Sequence, residues 1–325
     1  MIITKTPYRI SFFGGGTDYP SWFKENTGKF LSTTIDKHIY LSLKNVGPYF
    51  SYKHRLIWSK IENVNSVKSI QHNVVRKMLE YFKIKNGIEI HYQGDLPARS
   101  GMGSSSSFVT GLMKAFLQKK LIKVSKKELA KKSIFFEQKI LNEIVGIQDA
   151  ISTSYGGFNR VDIKKDGSFN VKNIKISNQI NYFNKNLVLV YTGIQRTAND
   201  IADKYVSRLN KDKIIEMNEI NSQVVEAEQL LSKNRFDDFG KLMNEGWKLK
   251  KSLSKVISNK KIDNLYDYSM ANGALGGKLL GAGGGGFMLL YIPQNLQKNF
   301  FKKTNKIINV PFRFSKEGSK IILKD

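Results

Sequence analysis

The residues of this chain best suited to chemistry lie in Leu96–Phe108, Leu-Pro-Ala-Arg-Ser-Gly-Met-Gly-Ser-Ser-Ser-Ser-Phe. Glycines let an anion approach the main chain, and consecutive serines add hydroxyl donors. Just before this stretch, Ile88, Ile90 and Tyr92 alternate at period two and predict a strand. Just after it, Phe108, Val109, Leu112, Met113, Phe116 and Leu117 recur at helical spacing. A helix that opens at the serines presents unpaired N–H groups and partial positive charge to the loop. Such a strand–loop–helix unit is a phosphate cradle. No Lys follows Gly103 as a Walker A loop requires, and Ser106 stands where a dinucleotide fingerprint needs its third glycine. A helix cap needs one serine; four after Gly-Met-Gly favour the phosphate reading.

Other loops and charges are less specific taken singly. In Gly14-Gly-Gly-Thr-Asp18, Gly15 and Gly16 would let a ligand lie against the backbone, with Thr17 and Asp18 facing it as donor and acceptor. For the glycines alone a tight turn with an Asx cap is the better reading. The four glycines 283–286 cost conformational entropy and imply a close backbone approach, with Gly283 and Gly284 at its start. Glu137, late on a helix opened by the capping box Ser125–Glu128, reads alone as a surface carboxylate. Asp149, just after Gly146, reads alone as a helix N-cap. Arg196 follows the apolar strand Leu187–Tyr191, and suits either a salt bridge or an anion.

Around these sites, periodicity predicts a strand over 2–13 bulged or edged at Pro7, and two strands within 29–46 separated by Asp36-Lys37. It predicts a helix over 69–82, strands over 158–164 and 186–192, helices near 198–209, 212–232, 235–254 and 261–272, and a strand at 320–323. The shift from strand-rich to helix-rich near 185 divides the chain into units of 1–185 and 186–325.

The 325 residues, 41% hydrophobic and 11% aromatic, have the composition of a folded soluble protein. Absence of Cys excludes disulfides, thiol nucleophiles and cysteine zinc sites, and fits a reducing compartment. The first residues lack a basic region followed by a long apolar run, and the longest apolar run, 287–292, is too short to span a bilayer, so a cytoplasmic location and no membrane partner are expected. The formal charge of +26 invites a nucleic-acid reading, but only nine of 53 basic residues are Arg and no dense basic arm occurs. A lysine-biased surface with a field attracting small anions is the expected reading, with no nucleic-acid partner.

Three motifs in order resemble those of the GHMP kinases: Pro7-x-Arg9-Ile-Ser-x-x-Gly-Gly-Gly-Thr-Asp18, Leu96-Pro-x-x-Ser-Gly-Met-Gly-Ser-Ser-Ser106, and Lys278-Leu-Leu-Gly-Ala-Gly-Gly-Gly-Gly-Phe287. Together they span nearly the whole chain. The Arg9–Pro20 run and Gly146-Ile-Gln-Asp-Ala150 most resemble the bacterial D-glycero-D-manno-heptose 7-phosphate kinases, with fucokinases sharing part of the pattern. The resemblance implies an α+β, two-domain architecture, with a ribosomal protein S5 domain 2-like N-terminal domain and a ferredoxin-like C-terminal one. It implies ATP and Mg²⁺, and a small sugar phosphate phosphorylated at its anomeric hydroxyl for nucleotide-activated heptose. Carried over by position, Ser100, Gly101, Met102, Gly103, Ser104, Ser105 and Ser106 wrap the ATP phosphates. Ser104 or Ser105, with Glu137, holds the metal; Asp149 is the candidate base, and Arg9 is the basic residue that steadies the incoming hydroxyl or developing charge. Gly15, Gly16, Thr17, Asp18, Gly283 and Gly284 border the sugar. Arg196 is our candidate for the distal phosphate. Ala150 departs from the Gln common in relatives, which touches contacts around Asp149 but not the carboxylate.

Overall fold

β1 (Ile2–Phe13) is the strand on which the other elements converge. The structure is a computed structural model, and it describes all residues except 176–178, 196–200, 204 and 304–306. From Tyr8 to Phe13 every residue of β1 is buried, which is why the run alternates poorly and reads as a strand covered on both faces. Its register against β2 (Gly28–Asn45) shifts between Pro7 and Arg9 and again between Ser11 and Phe13. Pro7 thus marks a bulge inside the sheet, not an edge.

β2 corrects one expectation. Residues 29–46 form one long strand, not two. Asp36 and Lys37 sit at the first register shift, where Asp36 exchanges backbone and side-chain hydrogen bonds with Arg313. A polar pair inside an apolar run marked a bulge, not a turn.

β3 (His54–Ile57), β4 (Ile61–Val64), β5 (Ile88–Gly94), β6 (Phe158–Ile163) and β7 (Phe169–Asn173) complete most of the large sheet. Its main path runs β13 (Lys320–Lys324), β1, β2, β5, β3 and β4, nine strands in all with β6, β7 and β12 (Phe314–Ser315) paired off that path. α1 (Pro20–Asn26) follows β1, and α2 (Asn73–Tyr81) buries Val75, Met78 and Leu79. α3 (Ser104–Lys119), α4 (Lys126–Phe135) and α5 (Gln148–Tyr155) pack together, with α3 against β1 and β2. Met102, Val109, Leu112 and Phe116 join Tyr8, Ile10 and Leu41 in one core.

After α6 (Ile180–Lys185), β8 (Leu187–Tyr191) enters a second sheet, ordered β11-β8-β10-β9, with β9 (Gly276–Leu279), β10 (Phe287–Tyr291) and β11 (Ile308–Asn309). α7 (Ile214–Ser232) rests on β1 and β2, and α8 (Phe236–Leu253) on β9, β10 and β1, so this helix pair couples the two sheets. α9 (Lys260–Ala271) and α10 (Gln294–Lys303) follow. The expected division near 185 falls between α6 and β8. The chain's end does not stay with the second sheet, however: β12 (Phe314–Ser315) pairs with β2 and β13 (Lys320–Lys324) with β1. Among the described residues no helix is long and apolar enough to cross a membrane.

Candidate active site

Arg9 follows the first register shift of β1 against β2 and is 4% exposed. Its Nε and Nη2 donate to Oδ1 and Oδ2 of Asp149 at 2.7 and 2.8 Å, a charge-assisted fork. Nη1 donates to the Gly101 carbonyl at 2.7 Å, and the Arg9 amide to the Met102 carbonyl at 3.1 Å. One side chain therefore ties β1, the serine-rich loop and α5 together. Asp149 lies in the first turn of α5, but the N-cap position is Ile147 and carries no side-chain cap. The simple capping reading of Asp149 is thus replaced by the pairing with Arg9. Its side chain is 28% exposed. A carboxylate has about four lone-pair sites, and the fork occupies two, so a proton acceptor remains on the open side.

The serine-rich loop delivers α3 without a cap: Gly103, at φ 75°, is the N-cap and supplies no side chain. The first amides of α3 are left without a capping acceptor, the condition under which a helix start binds phosphate. The hydroxyls divide by helical rotation. Ser105 is exposed, and Ser104 Oγ accepts from the Arg99 amide at 3.3 Å. Ser106 turns inward and donates to Glu137 Oε1 at 2.7 Å. Ser100 Oγ donates to the Pro97 carbonyl at 2.6 Å and is buried, so it stiffens the loop. The serine beside Glu137 is accordingly Ser106, not Ser104 or Ser105.

Glu137 is 1% exposed, against the surface reading its sequence context suggested. It sits in a π-helical turn, Phe136–Ile140, whose wider winding re-aims side chains at the end of α4. Burial pushes its carboxyl up to about 8; the Ser106 hydrogen bond opposes this, and the charges of Glu143 and Asp149 add to it. Oε2 is buried and without a hydrogen-bond partner. An orphaned carboxylate oxygen beside a serine hydroxyl, both hard donors, fits Mg²⁺, which takes few protein ligands and completes its shell with water and phosphate oxygens. Among the described residues no cluster of three or more His, Asp or Glu side chains is placed to hold a metal alone.

The loop after β1 behaves differently from expectation. Thr17 is fully buried; the carbonyls of Gly14 and Lys29 share its single hydroxyl hydrogen, and its oxygen accepts from the Lys29 amide. Asp18 is 5% exposed, and its oxygens accept from the amides of Gly16 and Gln148 at 3.1 and 3.2 Å. Both side chains are used inside the protein, and Asp18 joins the loop to the start of α5. Burial, with the Asp149 charge adding, raises its carboxyl to about 6. Gly15 faces open space, whereas Gly16 lies against Met217 of α7.

In the third glycine loop, Gly283 and Gly284 back onto Ile257 and Ile201 and do not form the near wall. The contact with the serine-rich loop is made on either side of them. A Cβ on Gly101 would stand 2.4 Å from the Leu280 carbonyl, and one on Gly286 2.2 Å from the Ser100 carbonyl. The Phe287 amide donates to that Ser100 carbonyl at 3.0 Å. Arg196 lies outside the described residues. Sequence reasoning assigned no role to Lys278, which is buried on β9 and donates to the Phe12 carbonyl at 2.8 Å. The available signal was a lysine inside a strand whose four residues are all buried. A surface cavity of about 440 Å³ lined by Met1, Leu43, Lys119 and Lys324 contains none of these residues.

Two family models match the chain, GHMP kinases N terminal domain over residues 66–157 and GHMP kinases C terminal over 227–303. The chain belongs to the GHMP kinase family and has its two-domain α+β fold. It is 29% identical to D-glycero-alpha-D-manno-heptose 7-phosphate kinase of Campylobacter jejuni, over 98% of each chain. It is 30% identical to mevalonate kinase of Methanocaldococcus jannaschii, over 75% of this chain and 78% of that one. Among solved structures, a D-glycero-D-manno-heptose 1-phosphate kinase from Bacteroides thetaiotaomicron superposes with a TM-score of 0.82 at 20% identity, covering all of both chains.

Proposed function

We propose that this protein is an ATP- and Mg²⁺-dependent sugar kinase that phosphorylates the anomeric hydroxyl of D-glycero-D-manno-heptose 7-phosphate, giving the 1,7-bisphosphate. The observation that carries the kinase reading is the Arg9–Asp149 fork held against the Gly101 carbonyl beside the uncapped start of α3. It sets a proton acceptor next to a phosphate cradle. The α3 amides bind the nucleotide's phosphates, and Asp149 takes the proton of the attacking hydroxyl. Arg9 fixes the carboxylate's orientation and adds positive charge where negative charge develops. Glu137 and Ser106 would hold Mg²⁺, which when bound neutralises phosphate charge.

The substrate reading is supported by likeness along the whole length to a heptose 7-phosphate kinase. A second reading, mevalonate as acceptor, is favoured by the slightly higher identity to a mevalonate kinase, though over a smaller share of the chain. ATP consumption against heptose 7-phosphate, heptose 1-phosphate, fucose and mevalonate separates them, with ³¹P NMR of the product fixing the hydroxyl used. Preferred turnover of any acceptor other than heptose 7-phosphate overturns the substrate assignment. No turnover with any acceptor supports a sugar sensor on the same fold.

A further inference from the structure

We propose that Lys278 is an anion-binding residue of this site, holding the Phe12 carbonyl with one N–H and an oxygen of a bound phosphate group with another. The proposal rests on the kinase reading above. Phe12 lies between Ser11 and Phe13, where the pairing of β1 with β2 shifts register, so its carbonyl falls at a bulge in the ladder. Lys278 Nζ reaches that carbonyl from β9, linking the second sheet to the first. Any neutral donor would satisfy a carbonyl. A lysine brings three N–H groups and a charge, here at 7% exposure. Among the described residues no carboxylate comes within ion-pair distance of it. A buried ammonium without a counter-ion is costly, so the counter-ion is expected to arrive with the ligand.

The neighbouring charges are already committed. Arg9, facing Lys278 from β1, is paired with Asp149. Asp18, facing it from the loop after β1, accepts two backbone amides. On α8, Lys250 donates to the carbonyls of Leu279 and Gly281. Of the three N–H groups of Lys278, the Phe12 carbonyl takes one, which leaves two for a ligand. Two residues on, Leu280 abuts Gly101 of the cradle, which places β9 at the edge of the phosphate site. Burial, with the Arg9 charge adding and Asp18 opposing, lowers the Lys278 ammonium to about 7. Near neutral pH the free protein is thus a mixture of neutral and charged lysine, and a phosphate oxygen selects the charged form. Anion binding draws a proton from solution.

The phosphate could be the nucleotide's or the sugar's, and calorimetry distinguishes them. Mg²⁺–AMP-PNP and heptose 7-phosphate are titrated separately at pH 7 in two buffers of different ionisation enthalpy. Wild type should take up about half a proton more than Lys278→Gln with the ligand whose phosphate reaches Lys278. Lys278→Gln keeps a donor for Phe12 but no charge, and should bind that ligand about tenfold more weakly or worse. Lys278→Arg should bind it without the extra proton. If Lys278→Gln matches wild type in affinity and proton count for both ligands, Lys278 only holds the bulge and the proposal fails while the kinase reading stands. If Lys278→Gln does not fold, proton uptake persisting in Lys278→Arg overturns the proposal equally. If wild type binds neither ligand, the kinase reading fails and takes this inference with it.

Discussion

Arg9 grips both oxygens of Asp149, 140 positions away, at 2.7 and 2.8 Å. The fork makes the two residues one unit: the guanidinium cannot move without moving the carboxylate. Asp149→Asn keeps the shape but removes the proton acceptor and turns an amide N–H₂ toward Arg9. General-base catalysis is worth about 10²–10⁴-fold, and kcat should fall by that range while ATP binding, followed by calorimetry, is largely kept. Turnover near wild type would remove Asp149 from the base role.

Arg9→Lys retains charge but not the planar fork. One of two charged hydrogen bonds to Asp149 and the one to Gly101 cannot both be replaced, each worth about 1.5–3 kcal/mol. Steady-state kinetics should show kcat reduced about tenfold or more. Equal activity of the lysine variant would mean that charge alone, not geometry, is required.

The metal contact should follow burial. Partners of a metal-binding carboxylate typically contribute about 10–100-fold to metal affinity. Ser106→Ala should raise the Mg²⁺ concentration for half-maximal activity within that range, and Ser104→Ala and Ser105→Ala should raise it less. The reverse order would move the metal contact to the exposed turn of α3.

Glu137 should mark the pH dependence of stability. Its carboxyl is raised from 4.5 to about 8 by burial, so the folded state holds a proton that the unfolded chain has lost. That contribution is full below about 4.5 and disappears as pH rises through about 8. In EDTA, the Tm of wild type should fall relative to that of Glu137→Gln as pH rises through this window. Parallel curves for the two proteins would show that Glu137 is ionised in the fold.

Gly286→Ala should be destabilising. Gly286 has φ +104°, and its Cβ would meet the Ser100 carbonyl. The left-handed backbone alone costs about 1–2 kcal/mol, and the clash adds to it. Gly15→Ala, with nothing within 4 Å of the new Cβ, should leave Tm nearly unchanged. Comparable Tm values for both variants would mean that the third glycine loop does not pack against Ser100 of the serine-rich loop.

Local pattern was enough for much of this molecule. Apolar runs delimited β1 and β8, period-two spacing β5 and helical spacing α3, and the capping box placed the start of α4, because those signals depend on residues a few positions apart. Three glycine-rich motifs in order pointed to the family. What sequence could not supply was contact between distant segments. A polar pair inside β2 looked like a turn because the bulge it forms is defined only by pairing with β1, far away in the chain. Glu137 looked exposed because its burial depends on a π-helical turn meeting Ser106 from α3. Thr17 and Asp18 looked like ligand contacts, yet their partners are the Lys29 carbonyl and the Gln148 amide. Residue type and spacing singled out Arg9, Glu137, Asp149 and the serine-rich loop as candidates for the chemistry. Which hydroxyl meets Glu137, which carboxylate meets Arg9 and where Lys278 points were decided only when the two sheets and α7–α8 closed on β1, because each depends on hydrogen bonds between segments far apart in the chain.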